Sequence, residues 1–122
     1  MFVTCLQSHG LFKHLHLEPW RVRKVIARIE RGYRSDIPYH TSTHAADVVQ
    51  AVSNLIGSRG FGERLSHLEK FSVLMAAAVH DYEHPGVNNA FLVKTRHELA
   101  VLYNDQSPLE NHHVAAGAKS GK

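Results

Sequence analysis

An all-α helical bundle is the fold class that three observations predict. Apolar residues recur at three- and four-residue steps along most of the chain, and residues that start or stop helices bracket those stripes. No run alternates apolar and polar positions between turn residues, as a half-buried strand would. Pro19 suits the first position of a helix, and Val22, Val25, Ile26, Ile29 and Tyr33 form its stripe, with Gly32 able to end it. A second stripe of Val48, Val52, Leu55 and Ile56 runs to Gly57. Ser66 followed by Glu69 has capping-box spacing and introduces Leu68, Phe71, Met75 and Val79. From Val73 onward this third helix is apolar all round, which predicts an internal position, and Pro85-Gly86 breaks it. A short helix is expected around His97 to Tyr103. Ser107-Pro108-Leu109-Glu110 then supplies an N-cap, a first-position proline and a capping glutamate.

Composition narrows the function classes. The chain has 122 residues, 43% of them hydrophobic and 20% charged, as in a globular protein rather than a disordered one. Its longest apolar stretch, Phe71 to Val79, is too short to span a bilayer. The opening Met1-Phe2-Val3-Thr4-Cys5 lacks the basic region of a signal peptide. Cys5 is a single cysteine, which fits a reducing compartment, so a cytoplasmic location is expected. The net charge is +3, but Arg21, Arg23, Lys24, Arg28 and Arg31 interleave with an apolar stripe as one solvated helix face. No nucleic-acid partner is therefore expected. A Gly-x-x-x-Gly-Lys run in the tail from Ala115 to Lys122 lacks the spacer, the final hydroxyl residue and the preceding strand of a phosphate loop.

Eleven histidines are the unusual feature. His44 lies four residues before Val48 and so shares its helix face. His80 and Asp81 close the apolar helix, placing an imidazole and a carboxylate in the interior. A buried carboxylate needs a cation or hydrogen bonds to offset its lost hydration. Two histidines and a carboxylate suit zinc or a similar divalent ion, and the second carboxylate oxygen can bridge to another metal. Taken singly, each residue has an ordinary alternative: a hydrogen-bonded core histidine, a chance His-Asp pair, and, for Asn111-His112-His113, plain helix surface.

Three segments together carry a resemblance. Tyr39-His40-Thr41-Ser42-Thr43-His44-Ala45-Ala46-Asp47-Val48 resembles the Y-H-N-x-x-H-A-x-D-V motif of class I cyclic nucleotide phosphodiesterases. His80-Asp81-Tyr82-Glu83-His84-Pro85-Gly86, followed by Asn89 and Phe91, is similar to that family's H-D-x-x-H-P-G motif. Leu102-Tyr103-Asn104-Asp105, Ser107 and Leu109-Glu110-Asn111-His112-His113 match its L-Y-N-D-x-S-x-L-E-N-H-H motif. The likeness covers about residues 10 to 116, leaving 117–122 as a divergent tail into which the last helix dissolves. Residues 1–122 then read as one partial catalytic domain, an incomplete portion of the multi-helix bundle.

The resemblance implies roles. His44, His80 and Asp81 would bind a tightly held metal, usually zinc, and Asp81 would bridge to a second ion, magnesium or manganese. A hydroxide between the ions would attack the cyclic phosphate of cyclic AMP or cyclic GMP, giving the nucleoside 5′-monophosphate. His40 would be the general acid protonating the departing 3′ oxygen. His84 and Glu110 would hold metal-bound waters and neighbouring histidines, and Tyr39 would line the substrate pocket. Thr41 departs from the family's asparagine. The family's further metal-binding aspartate, its purine-gripping glutamine and its aromatic clamp lie farther along than Lys122, so feeble or absent turnover is expected of this chain alone. The resemblance admits a homodimer of the full-length protein. The alternative reading is a truncated, catalytically incompetent metal-binding or association module. Other metal phosphohydrolases of the wider His-Asp group fit the two flanking motifs poorly.

Overall fold

A computed structural model describes residues 1–120, and it is helical, with no strand among them. In chain order the helices are α1 (Phe2–Ser8), α2 (Leu11–His14), α3 (Pro19–Gly32), α4 (Ser42–Gly57), α5 (His67–Val79), α6 (Asn89–Lys94), α7 (Glu98–Leu102) and α8 (Pro108–Ser120). A 3₁₀ turn at Gly62–Arg64 joins α4 to α5, and these two helices form the most extensive helix pair.

Three apolar clusters hold the helices. The first joins α1 and α2 to α4 and α5 through Phe2, Cys5, Leu6, Leu11, Val49, Ile56, Leu74, Ala77 and Ala78. The second places Ile29, Tyr33, Ala45 and Tyr82 beneath the site described below. The third, Leu92, Ala100 and Leu109, ties α6 and α7 to α8.

Helix α3 begins at Pro19, ends at Gly32 and turns its expected stripe inward, with Ile29 and Tyr33 buried. Gly32 has a steric reason to be glycine, because a Cβ there would overlap the Tyr82 ring. Helix α5 has the predicted capping box. The Glu69 N–H donates to Ser66 Oγ at 3.2 Å, and the Ser66 N–H donates to Glu69 Oε2 at 2.7 Å. Those bonds, backbone first, hold the Glu69 carboxyl below its ordinary value of 4.5. A folded-state value below the unfolded one means that the cap contributes fully above about pH 4.5 and fades as pH falls through the folded value. Glu69→Gln is accordingly expected to lose less stability than the parent between neutral and acid pH in parallel unfolding titrations. Equal losses would contradict this account of the cap.

Several expectations need correction. Helices α1, α2 and α6 were not expected. The first two are only seven and four residues long, and their order comes from packing rather than propensity. In α4 the buried line is Ala45, Val49 and Ile56, whereas Val48 and Val52 are half-buried and Leu55 is exposed. Val48 and Val52 nevertheless pack against the core, so the inward face is wider than expected and only Leu55 turns away from it. Helix α5 is not internal all round: Val73 is 40% exposed, and Ala76 also faces outward.

The expected box at Ser107 does not form. Ser107 has φ +43°, a left-handed backbone, and Asn89 does the capping from another helix. Its Oδ1 accepts from the Leu109 N–H at 3.0 Å, and its Nδ2 donates to Glu110 Oε2 at 2.9 Å. Nor does the last helix dissolve after residue 116. It continues to Ser120, with buried Gly117 allowing close approach to Val79; a Cβ there would lie 3.0 Å from the valine Cβ. Arg28 Nη1 donates to the Ser120 carbonyl at 3.5 Å. The final two residues of the 117–122 tail lie outside the described residues.

Candidate metal centre

Two helix ends meet to build the site. Thr41 caps α4, its hydroxyl accepting from the His44 N–H at 3.5 Å, which places His44 in the first helical turn and His40 just ahead of it. Opposite, α5 ends at Val79 and delivers His80 and Asp81. Tyr33 secures that end. Its hydroxyl donates to the Ala78 carbonyl at 2.9 Å and accepts from the Asp81 N–H at 3.4 Å. Burial pushes the phenol up to about 12, so it stays protonated at neutral pH; the Asp81 N–H opposes that rise and the Asp81 charge adds to it.

Three imidazole nitrogens crowd one carboxylate oxygen. Asp81 Oδ2 lies 2.9 Å from His40 Nδ1, 3.4 Å from His44 Nε2 and 3.0 Å from His80 Nε2. The two Nε2 atoms are themselves 3.2 Å apart. His80 Nδ1 lies 2.8 Å from the Ala77 carbonyl, which can only accept. The ring therefore carries its proton on Nδ1 and turns a lone pair on Nε2 toward the cluster.

This donor set fits a divalent metal. Ligands at about 2.0–2.1 Å in a tetrahedron stand roughly 3.3 Å from one another, and the His44, His80 and Asp81 atoms are 3.0–3.4 Å apart. Two nitrogens and a carboxylate oxygen are also ligand types that zinc accepts. Burial raises the Asp81 carboxyl, but the His40 hydrogen bond and the nearby His80, His40 and His84 outweigh it and leave the group below its ordinary value. The carboxylate is thus ionised at neutral pH.

A second group shares Asp81. Ligand atoms of Asp81, His84 and His113 all lie within 4.8 Å of one another. The His84 ring stacks on His40 with centroids 3.8 Å apart, and its Nδ1 accepts the Gly86 N–H at 3.0 Å. Burial lowers the pKa of both His84 and His113. Tyr39 is exposed, its ring 4.5 Å from that of His44, and with Thr41, Thr43 and Asp47 it lines an open hollow beside the cluster. Glu110 is exposed and hydrogen-bonded to Asn89, and its charge is felt by His84 and His113.

Residues 39–120 match the family model described as 3'5'-cyclic nucleotide phosphodiesterase. The chain belongs to the cyclic nucleotide phosphodiesterase family. Among its curated relatives is the 3',5'-cyclic-AMP phosphodiesterase 4C of Rattus norvegicus, 42% identical over 114 residues, which are 93% of this chain and 21% of that protein. The protein of the same name from Mus musculus is 42% identical over 116 residues, 95% of this chain and 17% of the relative. The chain therefore spans about a fifth of the length of those relatives. Its fold superposes on the crystal structure of the phosphodiesterase domain of Salpingoeca rosetta rhodopsin phosphodiesterase with a TM-score of 0.92 and 32% identity, covering 98% of this chain and 36% of the other.

Two residues that contact Asp81, His113 and Tyr33, were not among the expected site residues. His113, read singly as helix surface, is 3% exposed; its Nδ1 donates to the Tyr82 carbonyl at 2.6 Å and its Nε2 lies 4.0 Å from Asp81 Oδ1. The signal was present in the Leu109-to-His113 motif. Tyr33 counted only as an apolar stripe residue, and no local pattern announces where its hydroxyl goes.

Proposed function

We propose that residues 1–122 form the N-terminal part of the metal-dependent catalytic domain of a 3',5'-cyclic nucleotide phosphodiesterase that opens cyclic AMP to the 5′-monophosphate. The observation that carries this reading is the 3.0–3.4 Å separation of the His44, His80 and Asp81 ligand atoms beside His40. The names of the rat and mouse relatives favour cyclic AMP over cyclic GMP. Among the described residues no helix is long and apolar enough to cross a membrane. We place the protein in the cytoplasm.

His44, His80 and Asp81 would hold zinc, and Asp81 would also serve a second ion, magnesium or manganese. When bound, such ions supply an activated water nucleophile and Lewis-acid polarisation of the phosphate. As the imidazolium, with a proton on each ring nitrogen, His40 donates from Nδ1 to Asp81 and gives its Nε2 proton to the departing 3′ oxygen, leaving the ring neutral. That proton matters because a free alkoxide is a poor leaving group. His84, stacked under His40, keeps the ring from tilting out of line. Tyr39 offers the substrate an aromatic face, and Glu110 acts on His84 and His113 through its charge.

One observation favours the second reading, an association module: Val101, Leu102 and Val114 leave α7 and α8 with exposed apolar side chains. Two measurements separate the readings. The isolated chain is expected to bind one zinc and to hydrolyse cyclic nucleotides feebly or not at all. A chimera with residues 1–120 in place of the matching part of the rat relative is expected to hydrolyse cyclic AMP, with His40→Ala lowering kcat about 10²–10⁴-fold. A folded, zinc-loaded chimera without activity would sink the enzymatic reading.

A further inference from the structure

Glu83 occupies a backbone conformation that its residue type disfavours. Its φ is +57°, in the left-handed region, where the Cβ of a non-glycine residue crowds the following carbonyl oxygen. Asparagine and aspartate relieve that cost through local hydrogen bonds, and the longer glutamate side chain does so poorly. Such a conformation persists only where its surroundings over-determine it. Here they do so from α8. Glu83 Oε2 accepts from His112 Nε2 at 2.9 Å, and one residue earlier the Tyr82 carbonyl accepts from His113 Nδ1 at 2.6 Å. Consecutive residues of the loop are thus fastened to consecutive residues of the helix.

The reversal at Glu83 has a consequence at the site. It turns the chain back directly after Asp81, so that the next residue, His84, lies flat against His40, 3.8 Å between centroids and 12° between planes. His84 itself is held on the loop side, where its N–H donates to the Asp81 carbonyl at 3.1 Å and its Nδ1 accepts the Gly86 N–H.

We infer that the Glu83–His112 pair is a clamp that docks the α5–α6 loop on α8 and so sets the position of His84 beneath His40. Glu83 is a positioning residue: it acts on the site only through the loop. The metal readout below rests on the phosphodiesterase reading, whereas the ring-stacking readout does not.

The test uses the full 122-residue chain. In the metal-free protein, the ring-current shift of the His40 ring protons reports the stack on His84. Glu83→Ala and His112→Ala are each expected to abolish that shift and to weaken zinc binding, measured by calorimetry, about tenfold. The double variant is expected to be no worse than either single one. Glu83→Gln, which still accepts from His112, is expected to restore both signals to near the parent values. Glu83→Gly adopts the positive φ freely and keeps the loop foldable, yet it is expected to lose the stack as well. A parental stacking shift in Glu83→Ala or Glu83→Gly, or additive losses in the double variant, would overturn the clamp. Failure of the parent chain to bind zinc would instead count against the proposed function, and the stacking comparison would still decide the clamp.

Discussion

Asp81→Asn is expected to abolish zinc uptake and, with it, the stabilisation that zinc confers. Asp81 Oδ2 lies within 3.4 Å of nitrogens from His40, His44 and His80. Asparagine has nearly the same shape but no charge, so the packing survives while the attraction for a cation does not. At free zinc of 100 times Kd, binding adds about 2.7 kcal/mol to the folded state, roughly a 10 °C rise in Tm for a domain of this size. Thermal unfolding with and without zinc, alongside calorimetric titration, provides the check. The parent should shift and the variant should stay still. A zinc-dependent shift of equal size in Asp81→Asn would show that the cation is held elsewhere.

Leu74→Ala should give the largest loss of stability. Leu74 is 0% exposed and lies on α5 among Phe2, Leu6, Leu11 and Ile56, where α1, α2 and α4 converge. Removing a buried leucine side chain costs about 2–5 kcal/mol, lost burial and cavity together. Domains of this kind are stable by only about 5–15 kcal/mol, so the variant approaches unfolding. Helix α5 also carries His80 and Asp81 at its end, so the metal centre is expected to weaken with it. The control is Leu68→Ala on the same helix, which is 63% exposed and should change stability by no more than about 0.5 kcal/mol. Urea titrations of both variants settle the comparison, and similar midpoints would contradict the assigned core.

Local chemistry made much of the architecture readable in advance. The box at Ser66 and Glu69 uses bonds between residues three apart, and nothing distant competes with them. Pro19 and Gly32 bound their helix for the same reason. The same code failed at Ser107. A left-handed φ there removes the cap geometry, and Asn89, far away in sequence, satisfies the Leu109 N–H instead. On α4 it was incomplete: the periodicity identified the helix and placed Val48, Val52 and Ile56 on the core, but not that Ala45 and Val49 are buried there and Leu55 is exposed.

From the chain alone came the all-α class, the starts of α3, α5, α7 and α8, and a set of histidines and a carboxylate of types suited to a metal. These are legible because capping, periodicity and motif spacing depend on residues a few positions apart. Only the folded arrangement decided that His40, His44 and His80 meet at one oxygen of Asp81, that His113 is buried, and that Tyr33 and Glu83 brace the loop between them. Those contacts join residues up to 48 positions apart. They arise from which helix faces pack together, a balance of buried surface over the whole molecule that no short segment encodes.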